Sequence, residues 1–143
     1  MWIIFALGAS VFWGLTYVFN EQVYKKISVL SSLAVASFFI FIITGIIAYF
    51  SGNLKSDLYQ ISQSKQLLWY VIGGIVVLLV AEVFIGFSIT AKSATLAGLI
   101  EISYPVFIAL FSYLLYKNHV STSTIIGGII IFTGIFVIYY FNQ

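Results

Sequence analysis

The chain of 143 residues contains no cysteine and no arginine, and it has one histidine and one proline. The absence of cysteine excludes a disulfide framework, a thiolate metal site and a cysteine nucleophile. His119 falls in a predicted loop, and a single histidine cannot form a metal cluster. We therefore expect no metal, no cofactor and no enzymatic activity.

Charge is equally scarce. Charged residues make up 7% of the chain, whereas soluble domains contain about 25%. The net charge of +2 forms no basic patch or stripe, so nucleic-acid binding is set aside. A chain with so little charge cannot solvate a surface of its own, and we interpret it as an integral membrane protein.

Hydrophobic residues make up 62% of the chain. A membrane-spanning helix needs about 20 consecutive apolar residues, and five runs are long enough: 2–23, 29–50, 67–90, 94–116 and 124–141. Strands of a membrane barrel would be shorter and alternate with period two. The sequence therefore predicts an all-α polytopic membrane protein in which residues 1–143 form a single domain of five transmembrane helices.

Two segments need separate interpretation. The first apolar run lacks a basic flank and a small-residue cleavage site, so we expect a retained span rather than a signal peptide. In the polar segment 51–66, Leu54, Leu58 and Ile61 recur at helical spacing. This pattern favours a short amphipathic helix in the interface, and a flexible loop is the alternative.

Glu82 and Glu101 lie inside predicted spans. An ionisable residue there costs about 2.5–3.5 kcal/mol, which makes both acids functional candidates. Glu82 lies eight residues before Thr90, and Glu101 lies seven after Ala94. A tight turn between the two helices therefore places both acids at the same depth. The alternative is that they are neutral, hydrogen-bonded packing groups.

Pro105 strengthens the case for Glu101. Proline cannot donate to the carbonyl four residues back, and here that carbonyl belongs to Glu101 itself. Broken helices at membrane depth are tolerated where they line a cavity and supply ligands to it. Because desolvation disfavours the charged form, such a carboxyl can exchange a proton for a cationic substrate. We predict a coupling or substrate-binding site formed by Glu101, Glu82, Tyr104 and Pro105.

Small and aromatic residues share one face of the first span, at spacings of three and four. This pattern is typical either of close helix packing or of a cavity wall. The predicted cavity-lining residues are Ser10, Trp13, Gly14 and Tyr17, joined by Gly98 beside Glu101. The acids face each other only if the small-residue stripes beside them pack together, within one chain or across a dimer.

The fifth span contains three glycines that predict helix packing, against its own bundle or against a second subunit. They are Gly127, Gly128 and Gly134. Three lysines fall in loops on each side of the membrane, so charge gives no preferred orientation. One interpretation is a chance balance of six charges in a short chain. The alternative is dual topology, with an antiparallel homodimer that supplies the inverted copy an odd five-span unit needs.

Three stretches resemble the drug/metabolite transporter superfamily, in its EamA-type unit of five helices. They are residues 10–17, 91–110 and 127–135. The resemblance implies a secondary transporter of small solutes, built from inverted five-helix units around a central cavity. The family often has a Gly-Glu pair after its fourth helix, and this chain does not.

The pattern therefore predicts a small secondary transporter, multi-pass in the cytoplasmic membrane, that moves a small organic solute or metabolite by alternating access. It would act as an antiparallel homodimer in the lipid bilayer, with proton coupling at Glu101. The alternatives are a non-transporting assembly or regulatory subunit, and one half of a heterodimeric transporter.

Overall fold

The computed structural model describes residues 1–142, and within that range it contains helices and no strands. In chain order the helices are α1 (Trp2–Tyr24), α2 (Val29–Phe50), α3 (Leu54–Gln63), α4 (Lys65–Ala91), α5 (Ala94–Glu101), α6 (Tyr104–Tyr116) and α7 (Thr122–Phe141). Five spans are long and apolar enough to cross a membrane, with α5 and α6 together forming the fourth. The predicted all-α fold class with five transmembrane helices is confirmed.

The bounds of the spans agree closely with prediction. The second and fourth spans match the prediction, and the first, third and fifth are longer by one, three and two residues. Residues 54–63 form a helix rather than a loop. The four N-cap serines explain several of the boundaries: Ser28, Ser64, Ser93 and Ser121 each accept a hydrogen bond from the N–H three residues on. Each such cap contributes about 1 kcal/mol.

The fourth span is two helices rather than the single helix that hydropathy suggests. The backbone turns at Ile102 and Ser103, where the Ser103 N–H bonds to the Ile100 carbonyl, and Pro105 lies in the first turn of α6. The break has a local cause, because proline lacks an N–H and is tolerated in a first turn but not in a helix interior.

Helices α1, α4 and α5 pack against one another, with α2 against α4 and α7 against α6 and α5. The buried cluster is small and consists of Ile89, Ala94 and Ala97, with Tyr24 and Ile85 packed beside it. It lies at the membrane face that holds the α1–α2 loop (25–28) and the α4–α5 turn (92–93), which we name the turn face.

Most of the remaining surface is uncovered within the chain. The accessible surface is 11592 Å², whereas a compact monomer of 15.9 kDa would expose about 7,400 Å². In a membrane this surface meets lipid or another subunit. The buried residues concentrate where α1, α4 and α5 meet, and most of the surface of α2, α6 and α7 is exposed.

Among the glycines, Gly86 leaves the least room for a side chain. A Cβ added there would overlap the Val29 side chain of α2 and lie 3.4 Å from the Tyr24 hydroxyl. Because valine is stiff and cannot easily yield, we expect Gly86→Ala to lower the free energy of unfolding by about 1–3 kcal/mol, measured by thermal unfolding in detergent.

Gly74 gives a matched control on the same helix, since a Cβ there meets nothing within 4 Å. Gly74→Ala should leave stability unchanged or raise it by up to about 1 kcal/mol, because alanine is the better helix former. Adding Val29→Ala to Gly86→Ala should restore part of the loss. Equal changes in the free energy of unfolding for Gly86→Ala and Gly74→Ala would contradict the close packing of Gly86 against Val29.

Candidate functional site

A cavity of about 810 Å³ lies between α1, α4, α5 and the first residue of α6. Most of its wall is apolar. Eight of the residues predicted for the site line it: Ser10, Trp13, Gly14, Tyr17, Glu82, Gly98, Glu101 and Tyr104. Residues up to 94 positions apart in the sequence therefore line one cavity within a single chain.

Tyr17 reaches across the cavity from α1 to α5. Its hydroxyl donates a hydrogen bond to Glu101 Oε2, and its ring meets the Trp13 ring edge-on, with centroids 6.0 Å apart. A Cβ on Gly98 would lie 3.1 Å from Tyr17 Cδ2, so glycine makes room for this ring. One part of this α1 face therefore packs closely against α5, at Tyr17 and Gly98, and another part, at Gly14, borders open space.

The ionisable groups lining the cavity are carboxyls and tyrosines, with no lysine or histidine among the lining residues. Glu101 is bonded to Tyr17, whereas Glu82 forms no side-chain hydrogen bond or ion pair with any part of the chain that the structure describes. An acid without a partner at membrane depth has a high energetic cost, which favours a functional role over a packing role. The wall therefore offers hydrogen-bond acceptors and aromatic faces to a solute.

The model of the EamA-like transporter family matches residues 1–140. The chain belongs to this family. Members are transporters rather than enzymes, and together with the five apolar spans this makes the chain a multi-pass membrane protein of a family that transports small solutes. Searches of curated proteins and of solved structures found no match.

In this EamA-like chain the glycines beside the two acids do not meet each other. Gly98 meets Tyr17 of α1, and Gly86 meets Val29 of α2, while Gly74 has nothing within 4 Å. The acids share a cavity because α1, α4 and α5 all pack against one another, an arrangement that the sequence pattern could not show.

Pro105 does not line the cavity. It acts on the backbone, where the Ile102 N–H bonds to the Gly98 carbonyl across the end of α5. Over residues 1–142, the Glu101 carbonyl accepts no backbone N–H across the break. A carboxyl group and an unpaired backbone oxygen therefore come from the same residue, as the position of the proline predicts.

The three glycines of α7 have different surroundings. A Cβ on Gly128 would lie 3.2 Å from Val106 of α6, whereas Gly127 and Gly134 have nothing within 4 Å. Within the chain only Gly128 packs a neighbouring helix closely. The other two leave part of the α7 surface open to lipid or a second subunit.

Sequence reasoning assigned no role to Glu21, which shares the α1 face with Tyr17. Its Oε2 accepts a hydrogen bond of 2.8 Å from the Ala94 backbone N–H, at the beginning of α5. Its Oε1 lies 3.5 Å from Lys25 Nζ. Glu21 lies four residues after Tyr17 and therefore on the same face of α1, but nothing in the sequence identifies its partner on α5.

Proposed function

We propose that this EamA-like chain is a secondary transporter of a small organic solute in the cytoplasmic membrane, working by alternating access. The main support is the Tyr17–Glu101 hydrogen bond inside the cavity. It places a carboxyl group on a broken helix, at membrane depth, beside space large enough for a small solute. Discontinuous helices bind substrates and coupling ions in this way in secondary transporters.

Glu101 is the proposed coupling group. A proton and a cationic solute compete for the same carboxylate, so that binding of one releases the other. Tyr17 and Trp13 offer ring faces to an organic cation, an attraction of about 0.5–2 kcal/mol per favourable contact. Glu82, also on the cavity wall and without a partner in the described chain, is the proposed second acid.

We propose that the transporter is an antiparallel homodimer of this single five-span unit, residues 1–143. Five is an odd number of spans, so a second copy inserted the other way round completes an inverted repeat. The balanced lysines allow both orientations. The uncovered surface and the open faces of Gly127 and Gly134 leave room for the partner copy.

The test uses purified protein in two steps. A thermal-shift screen against metabolites and drugs identifies ligands, and each ligand is then added to proteoliposomes that contain a pH-sensitive dye. We expect cationic ligands to raise the unfolding temperature and to drive proton movement as they enter. Liposomes without protein are the control. If no ligand that stabilises the protein moves protons or is itself taken up, the transport proposal fails.

A further inference from the structure

We propose that Glu21 is a positioning residue of the cavity. From α1 it holds the beginning of α5, and by doing so it keeps Glu101 beside Tyr17 and closes the cavity at the turn face. Its significance for alternating access rests on the proposed transport function. The structural role of the contact does not, and it is tested separately.

The contact satisfies a backbone group that α5 cannot satisfy itself. The first N–H groups of a helix have no intrahelical partner, and the positive end of the helix dipole attracts an anion. The Leu96 N–H donates to Ser93 in the same segment, whereas the Ala94 N–H donates to Glu21 on a different helix. Of these two bonds at the beginning of α5, the one to Glu21 joins α5 to α1.

The geometry gives α5 two attachments to α1. Glu21 and Tyr17 are one turn apart on the same face of α1, and Ala94 and Glu101 are the two ends of the eight-residue α5. The helices run antiparallel, so Glu21 meets the beginning of α5. The Tyr17 ring, which leans towards the beginning of its own helix, meets the end. Since α5 is separated from α6 at Ile102–Ser103, its position depends on its packing against α4 and on these two hydrogen bonds to α1.

The buried cluster lies at the same end of the cavity. Ala94 and Ala97 belong to the beginning of α5, and Ile89 belongs to the end of α4. Opening the cavity towards the turn face requires the beginning of α5 to leave α1, and that movement breaks the bond between Glu21 and the Ala94 N–H. The bond is therefore made in the closed state and lost in the open one.

Cysteine labelling tests this directly, because the chain has no cysteine of its own. Ala97→Cys places a thiol at a position that is 3% exposed, and its reaction with a water-soluble maleimide reports opening in detergent-solubilised protein. We expect Glu21→Ala to raise the labelling rate roughly tenfold or more, the change expected from losing a hydrogen bond to a charged group. Glu21→Gln should bring the rate part of the way back, since its amide oxygen still accepts from Ala94 but carries no charge.

Two controls separate a local release from general loosening. Val29 is 4% exposed and lies on α2 against Gly86 of α4, so labelling of Val29→Cys should not respond to Glu21→Ala. Ser93→Ala removes a cap of α5 without changing a contact with α1, so labelling of Ala97→Cys should remain slow. If Glu21→Ala does not give folded protein, Glu21→Asp, one methylene shorter, should give an intermediate rate.

The positioning role is overturned if Glu21→Ala and the parent label equally, if Val29→Cys accelerates as much as Ala97→Cys, or if Glu21→Gln labels as fast as Glu21→Ala. The experiment needs no substrate. Its failure would remove the role of Glu21 and leave the transport proposal standing, whereas failure of the liposome assay would leave the contact in place without a transport function.

Discussion

Replacing Glu101 with glutamine is expected to abolish solute-driven proton movement and to weaken binding of a cationic solute roughly 10- to 100-fold. Losing a hydrogen bond to a charged group costs about 1.5–3 kcal/mol, which corresponds to that range. Glutamine has the same shape and can still accept the hydrogen bond from Tyr17, so the cavity should keep its form. What disappears is the charge and the exchangeable proton.

The measurement compares three variants in the same proteoliposome assay. Glu82→Gln should reduce proton movement less than Glu101→Gln, because Glu82 lies on the wall without the freed backbone carbonyl that Glu101 contributes. Asp57→Asn is the matched control: Asp57 is an acid of α3, outside the cavity, and its loss should change nothing. Coupling that survives in Glu101→Gln would remove Glu101 from the mechanism, even if solute transport continued.

The five spans could be predicted because the bilayer dictates their length. A run of about 20 apolar residues has few other structures available, and the capping serines fix where several of the helices begin. The division of the fourth span into two helices was harder to predict. Pro105 predicts a lost hydrogen bond, but whether the helix kinks or breaks depends on how Ile102 and Ser103 satisfy their N–H groups, and that is a property of the folded backbone.

The candidate site shows the same limit on what can be predicted from the sequence. Helical periodicity shows which residues share a face, and this was enough to place Trp13 and Tyr17 together and to place Glu101 beside Gly98. Periodicity does not show which helix a face meets. The partners of Glu101 and Glu21, which are the Tyr17 hydroxyl and the Ala94 N–H, required the packing of α1 against α5.

The glycines show why a small residue alone is weak information. Gly98 and Gly128 each admit a neighbouring side chain, and Gly86 leaves no room for a methyl group beside Val29. Gly127 and Gly134 belong to the same sequence pattern but have open space in the single chain. A glycine pattern predicts that close approach is permitted, and only the arrangement of helices shows where it is used.

The balance of lysines leads to the second large effect, on membrane orientation. The turn face holds Lys25, Lys26 and Lys92, and the opposite face holds Lys55, Lys65 and Lys117. Because positively charged loops stay in the cytoplasm, an equal count should let the chain insert both ways. Reporters fused after Gln143, one active inside the cell and one active outside, should therefore both give signal.

Small changes in charge should then select one orientation. Gln22→Lys with Ile27→Lys adds two charges at the turn face, where α7 also ends, and should leave only the inside reporter active. Gln60→Lys with Gln63→Lys adds two at the opposite face and should leave only the outside reporter active. Co-expressing the two biased forms should restore transport that neither supports alone, since an antiparallel dimer needs one of each. A single orientation in the unaltered chain would exclude dual topology, and the inverted partner would then have to be a different chain.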